Sequence, residues 1–204
     1  MNSFKKIYLL LPIASFLLSC SEKEPVGFTG PFEVVNGDTI RFTIPKYELY
    51  NQDSVLTTNK DLKGKIHVMA FFFTSCPGTC PVITGNLLAV HQKFKDNENV
   101  HIVSVSIDPN NDTFARLKEY AKGYGIDTKS WSFLRGEEAY THDFMEQRLY
   151  QSVVKDKNVP GGFDHSSNVL LVDKEGRLRS FYEGTDKTQI DVLIKDVSSL
   201  LENE

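Results

Sequence analysis

Cys76 and Cys80 are separated by three residues in the run Thr74-Ser75-Cys76-Pro77-Gly78-Thr79-Cys80-Pro81, and His165 follows late in the chain. Two thiolates and one imidazole form a soft, three-coordinate donor set suited to Cu(I). With added oxygen or nitrogen donors the same set tolerates Cu(II). A thiol pair at this spacing can also cycle between dithiol and disulfide. The pair lies where an apolar run gives way to helical periodicity, so a helix starting near Cys80 directs its N-terminal N–H groups at the thiols. That favours thiolate, and with it both nucleophilicity and metal binding. Pro77 and Pro81 suit loop and first-turn positions, where a missing N–H costs nothing. Cysteines with no role beyond packing belong on a periodic core face, not in a Pro/Gly-rich junction.

The positioning elements are legible around this loop. Ile66 to Phe73 is almost continuously apolar, as in a central strand covered on both faces. Beyond the loop, Ile83, Leu87, Val90 and Phe94 recur at helical spacing and predict a helix from about residue 80 to Lys95. Val100 to Ile107 predicts a second buried strand, ended by Asp108-Pro109-Asn110-Asn111-Asp112. A helix on Phe114, Leu117, Ala121 and Tyr124 follows, then a short strand at Ser132 to Leu134 and a helix over roughly Glu137 to Leu149. Val169 to Val172 and Leu178 to Tyr182 form a hairpin, and Ile190, Leu193, Ile194, Val197 and Leu201 mark a closing amphipathic helix. Upstream, Phe32 to Val35 and Thr39 to Ile44 flank Asn36-Gly37-Asp38 and predict an extra N-terminal β-hairpin. Tyr47 to Tyr50 and Val55 to Thr58 read as further short strands. The order matches an α/β, thioredoxin-like arrangement with the cysteine loop at the carboxyl end of a central strand.

Thioredoxins space their cysteines by two residues and place an X-Pro peptide before the hairpin strand. Here that neighbourhood reads Phe163-Asp164-His165-Ser166-Ser167, so an imidazole stands where a disulfide exchanger carries proline. The other histidines are less well placed. His91 lies 11 residues along the helix from Cys80, roughly 16 Å at the helical rise. His67 and His101 open their strands at the far end, and His142 reads as part of a solvated helix face. Asp108 ends the strand beside the cysteine strand. Two readings stand for it: a turn former, with Asp112 or Thr113 capping the next helix, or a carboxylate facing the site.

Composition narrows the alternatives. The chain has 204 residues, 40% hydrophobic and 25% charged, enough for one globular domain and too balanced for disorder. Three cysteines in total exclude a disulfide-stapled scaffold and a four-thiolate zinc or iron–sulfur site. A formal charge of −4, with no long basic run, argues against nucleic acid as a partner.

Residues 1–19 read as a signal peptide: Lys5 and Lys6 precede an apolar stretch from Ile7 to Leu18, too short to span a bilayer. Leu17-Leu18-Ser19-Cys20 resembles the lipobox of bacterial lipoproteins, so Cys20 is the expected lipidation site. Acyl chains there would anchor an extracytoplasmic domain to a bacterial membrane, on its periplasmic or outer face. Cleavage removes two of 23 basic residues and leaves 21 against 27 acidic ones. Residues 20–31 then form the lipidated tether, and residues 32–204 the thioredoxin-like domain.

Three segments together resemble the SCO/SenC copper proteins: Phe72-Phe73-Thr74-Ser75-Cys76-Pro77-Gly78-Thr79-Cys80-Pro81, Val105-Ser106-Ile107-Asp108-Pro109-Asn110-Asn111-Asp112-Thr113, and Asp164-His165-Ser166-Ser167 before Val169-Leu170-Leu171-Val172-Asp173. The ordered combination of C-x-x-x-C-P, D-P-x-x-D and D-H-S-S is far more specific than any one piece. The resemblance implies a thioredoxin-like fold and one copper, Cu(I) or Cu(II), held by Cys76, Cys80 and His165, with Asp108 as a nearby or additional ligand. It implies a metallochaperone that assists assembly of the dinuclear copper centre of cytochrome c oxidase subunit II, by copper delivery or by reduction of that subunit's thiols. Its partners would be subunit II or a similar copper acceptor, a copper donor protein, and the membrane. A lipid on Cys20 would replace the transmembrane helix commoner in the family.

The competing reading is an extracytoplasmic thiol–disulfide oxidoreductase that uses Cys76 and Cys80 as a redox-active pair without stored metal. A peroxiredoxin is a poor match, since P-x-x-x-T-x-x-C would require Pro at Met69 and Thr at Phe73. A structural zinc site of Cys76, Cys80, His165 and Asp108 would lack the paired knuckles usual in such sites.

Overall fold

The computed structural model describes residues 26–203, so the leader and Cys20 lie outside the described residues. In chain order the elements are β1 (Phe32–Val35), β2 (Asp38–Arg41), β3 (Glu48–Asn51), β4 (Leu56–Thr58), β5 (Ile66–Phe72), α1 (Thr79–Phe94), β6 (Val100–Ser106), α2 (Phe114–Gly123), β7 (Trp131–Arg135) and α3 (Glu138–Asp143). A π-helical turn (Phe144–Arg148) extends α3, followed by β8 (Val153–Lys155), β9 (Phe163–His165), β10 (Asn168–Val172), β11 (Leu178–Glu183) and α4 (Lys187–Asn203).

The main sheet runs β11-β10-β5-β6-β7-β3-β4. Strands β5, β6 and β7 are parallel, while β10 adds antiparallel to β5 and β3 to β7. All seven residues of β5 and of β6 are buried, which is why both read as apolar runs rather than as an alternating pattern. The register Phe72↔Ser106 sets the carboxyl ends of β5 and β6 side by side. The cysteine loop and the Asp108 loop leave the sheet from there. Helix α1 buries the predicted face, Ile83, Leu87, Val90 and Phe94, together with Cys80, and packs against α4.

Three features depart from the sequence expectation. The helix predicted to Leu149 changes to a π-helical turn at Phe144. The wider turn lets the consecutive Phe144 and Met145 both reach the core, Phe144 against Tyr47 with ring centroids 5.4 Å apart. Strands β8 and β9 pair as a separate two-stranded sheet, and three-residue strands are too short to show alternation. The segment 26–31, expected as part of the tether 20–31, is held against β11. Thr29 N–H donates to Arg179 O at 2.9 Å, and the Phe28 ring lies under the guanidinium groups of Arg41, Arg177 and Arg179. The β1–β2 hairpin itself forms as predicted, with Asn36 and Gly37 at φ 52° and 89° supplying its turn.

Candidate functional site

Helix α1 starts at Thr79, one residue before Cys80, with no side-chain cap on Gly78 and no acidic residue in its first turn. The first-turn N–H groups therefore need another acceptor. Cys76 Sγ takes that place, accepting the Cys80 N–H at 3.5 Å and lying 4.0 Å from Thr79 Oγ1. Cys76 is half-buried and Cys80 has no exposed surface.

His165, at the end of β9, meets the pair from the opposite side: its Nε2 lies 3.4 Å from Cys80 Sγ. Its Nδ1 lies 2.8 Å from the Ser166 carbonyl oxygen. A carbonyl can only accept, so Nδ1 carries the proton and the Nε2 lone pair is directed at Cys80. The imidazole is firmly mounted. Ser166 N–H donates to Ser152 O, and Ser166 Oγ donates to the buried Gln151 Oε1 at 2.8 Å. Phe73 stacks edge-on to both His165 and Phe163. Gly161 closes the other flank: at φ 89°, a Cβ there would stand 2.8 Å from the Phe73 ring and 3.1 Å from Pro77 Cδ.

Burial pushes the Cys76 thiol up, but hydrogen bonds from the backbone N–H groups of Cys80 and Gly78 and from the Cys80 and Thr79 side chains outweigh it. The net shift is downward, towards thiolate. Burial pushes Cys80 well above the ordinary thiol value, and its hydrogen bond to Cys76 adds to the rise. Burial lowers His165, against the opposing pull of the Ser166 carbonyl and Asp164, which favours the neutral imidazole. A thiol shifted towards thiolate, a buried thiol shifted away from it and an imidazole shifted towards its neutral form thus share one end of the sheet. Among the described residues no three His, Cys, Asp or Glu side chains are already closed around a common metal position. Two thiols and an imidazole are a donor set that fits a soft metal.

Asp108 is buried, 3% exposed, at the end of β6. Its carboxylate accepts from Asn111 Nδ2 at 2.7 Å within its own turn, and its carbonyl accepts the Asp112 N–H. Among the described residues no hydrogen bond joins Asp108 to Cys76, Cys80 or His165. Thr113, not Asp112, caps α2, accepting from Arg116 N–H. Asp112 turns inward with no exposed surface and accepts from Thr74 and Ser106. Burial raises its pKa despite those bonds.

The remaining histidines do not join the site. His67 and His101 are buried at the opposite end of β5 and β6, directly across from each other in register. His91 accepts from Asp127 N–H. His142 differs from its sequence reading: it is half-buried, with Nε2 2.7 Å from Ile107 O and its ring edge-on to Phe163. A solvated face is wrong for it because the loop after β6 folds back over α3. Gln151 and Gly161 were missed altogether. Gly161 alone left a trace, the Pro160-Gly161-Gly162 run before β9.

The SCO1/SenC family model matches residues 36–202. The chain belongs to the SCO1/SenC family. A crystal structure described as a SCO1/SenC family lipoprotein from Bacillus anthracis is 29% identical, with a TM-score of 0.73, covering 79% of this chain and 96% of that one. BsSco, described as a member of the Sco family of cytochrome c oxidase assembly proteins with a disulfide switch, is 28% identical, with a TM-score of 0.66, covering 78% and 95%. Arabidopsis thaliana ScoI, solved with copper bound, is 26% identical, with a TM-score of 0.64, covering 76% and 97%. The fold is thioredoxin-like, as in these Sco proteins. Among the described residues no helix is long and apolar enough to cross a membrane.

Proposed function

We propose that this SCO1/SenC protein is a metallochaperone that binds one copper through Cys76, Cys80 and His165 and passes it to a thiolate-bearing acceptor during assembly of the dinuclear copper centre of cytochrome c oxidase. The observation that carries this reading is the approach of His165 Nε2 to Cys80 Sγ at 3.4 Å, with Cys76 Sγ on the same helix start. The copper-bound Arabidopsis relative and the description of BsSco as a member of an oxidase assembly family support it. Three soft donors leave copper coordinatively unsaturated, so an incoming thiolate can bind before a resident ligand leaves. The half-exposed Cys76 is the ligand an acceptor reaches first.

Within this reading Asp108 acts through its turn rather than as a copper ligand, since its carboxylate is engaged by Asn111. Cys20 carries the lipid that tethers the domain outside the cytoplasm, a reading supported by the lipoprotein relative. The same dithiol can be oxidised to a disulfide with release of two electrons and two protons, and when a partner's disulfide takes up those electrons and protons it is reduced to two thiols in the same exchange. The opposite pKa shifts of Cys76, lowered, and Cys80, raised, support this second use of the pair.

Titration of the reduced chain, solubilised in detergent, with Cu(I) and Cu(II) tests the copper reading. Near-equimolar binding with thiolate-to-copper charge-transfer absorption is expected, and His165→Ala weakens it. Copper affinity unchanged in His165→Ala would remove the three-ligand site. A wild-type chain that binds no copper but catalytically reduces disulfides would favour the oxidoreductase.

A further inference from the structure

Asp112 is a fully buried carboxylate whose hydrogen bonds come from neutral donors on the loop after β5 and on the last residue of β6. It accepts from the Thr74 backbone N–H at 3.2 Å, from Thr74 Oγ1 at 2.5 Å and from Ser106 Oγ at 2.5 Å. Its own N–H donates to Asp108 O at 2.8 Å, and Ser106 Oγ accepts the Asp108 N–H at 3.2 Å. Thr74 stands two residues before Cys76, and Cys76 N–H in turn donates to Phe73 O. One side chain therefore fastens the entrance of the cysteine loop to the turn after β6.

A carboxylate is a costly way to fill a core, because removing it from water is unfavourable whereas burying an apolar side chain of similar size is favourable. What it provides is geometry. It can accept several short, directional bonds at once, from a backbone amide and two hydroxyls. We infer that Asp112 is a positioning residue for the site: through Thr74 it fixes where Cys76 stands relative to Cys80 and His165, and through Ser106 it fixes the Asp108 turn. Its effect on copper rests on the proposed function, whereas its effect on the thiols does not.

Asp112→Asn keeps the shape but replaces one acceptor oxygen by a donor, so the Thr74 and Ser106 hydroxyls can no longer both donate to the side chain. Thr74→Val removes the Thr74 hydroxyl alone, and Thr74→Ser restores it. At temperatures well below unfolding, two quantities are read in each variant: the alkylation rate ratio of Cys76 to Cys80 in metal-free protein, and the charge-transfer spectrum and dissociation rate of bound copper. Asp112→Asn and Thr74→Val should each change the alkylation ratio and speed copper release by about tenfold, the equivalent of one charge-assisted hydrogen bond. The double variant should do no more than either single one, and Thr74→Ser should behave as wild type. His101→Ala, destabilised at the opposite end of the sheet, controls for general loosening and should leave both readouts unchanged. An Asp112→Asn protein that is folded and has the wild-type ratio and spectrum overturns the inference. So does a Thr74→Val protein with wild-type values if Asp112→Asn fails to fold. A wild-type chain with no copper–thiolate band removes the proposed function instead, and the alkylation ratio still decides the role of Asp112.

Discussion

Cys76 Sγ accepts the backbone N–H of Cys80 at 3.5 Å, so one cysteine caps the helix on which the other is buried. The thiols are made unlike by that arrangement: Cys76 is drawn below the ordinary thiol pKa although burial opposes it, and burial drives Cys80 above it. In reduced, metal-free protein, limiting iodoacetamide near neutral pH is expected to modify Cys76 at least about tenfold faster than Cys80. The Cys76 rate should rise with pH through a midpoint below that of a free thiol. Peptide mass spectrometry after a short pulse reads both rates, and equal labelling would contradict the assignment.

This asymmetry lay beyond the sequence, although the elements that create it did not. The apolar run at Ile66 to Phe73 and the helical spacing of Ile83, Leu87, Val90 and Phe94 located the loop to within a residue or two, because burial imposes both patterns. His165 could be singled out because the end of a strand order is a topological property. Which sulfur would meet His165, and that Asp112 would turn inward instead of capping α2, depend on contacts between residues 85 and 38 apart in the chain. Local pattern carries no trace of such contacts. The β8–β9 hairpin that mounts His165 escaped for a related reason, as its strands are held by pairing with each other rather than by an apolar face.

Gly161 and Gly162 offer a paired test of how tightly the flank of the site is packed. Both have positive φ, 89° and 84°, but only Gly161 has neighbours a Cβ would strike, Phe73 and Pro77. Gly162→Ala should lose about 1 kcal/mol, the backbone cost alone. Gly161→Ala should lose roughly 2–3 kcal/mol and also displace Phe73, so Cys76 alkylation should change in that variant only. Urea denaturation and the labelling pulse measure the two effects. Equal behaviour of the two variants would mean that the loop yields easily to the added methyl group.

Asp173 is fully buried at the β10–β11 turn. It accepts from Arg177 Nε at 2.7 Å, from Arg179 Nη1 at 3.2 Å and from the backbone N–H groups of Glu175 and Arg177. Arg179 is itself buried, 5% exposed, and its guanidinium also donates to the carbonyls of Val26 and Gly27. Asp173→Ala would remove a buried carboxylate that both guanidinium groups and two backbone N–H groups bond to, and a loss of about 3–5 kcal/mol is expected. The Thr29 amide, bonded to Arg179 O, should exchange with deuterium faster as the 26–31 segment loosens. Reactivity of Cys76, at the other end of β5, should stay at the wild-type value. A changed Cys76 rate would show that the N-terminal segment communicates with the thiol loop.

His67 and His101 face each other across β5 and β6, and burial lowers each to a pKa of about 4. A histidine in the unfolded chain takes up its proton near pH 6.5, while these two resist it until about pH 4. The unfolded state therefore binds more protons across that window. Stability from keeping both rings neutral is fully present above about pH 6.5 and is lost progressively as pH falls towards 4, with a ceiling on the order of 3 kcal/mol for each ring. Carboxylates whose pKa is lowered, such as Asp61 and Glu183, lose their contribution lower in the acid range, so the histidine slope appears first. Thermal melts from pH 7 to pH 4.5 should show a falling Tm. His101→Gln, which can still reach the Ser132 hydroxyl now 2.9 Å from the imidazole, should make that slope shallower. A wild-type Tm that stays flat down to pH 5 would mean that the two rings are protonated in the folded state, and that the β5–β6 edge opens to water.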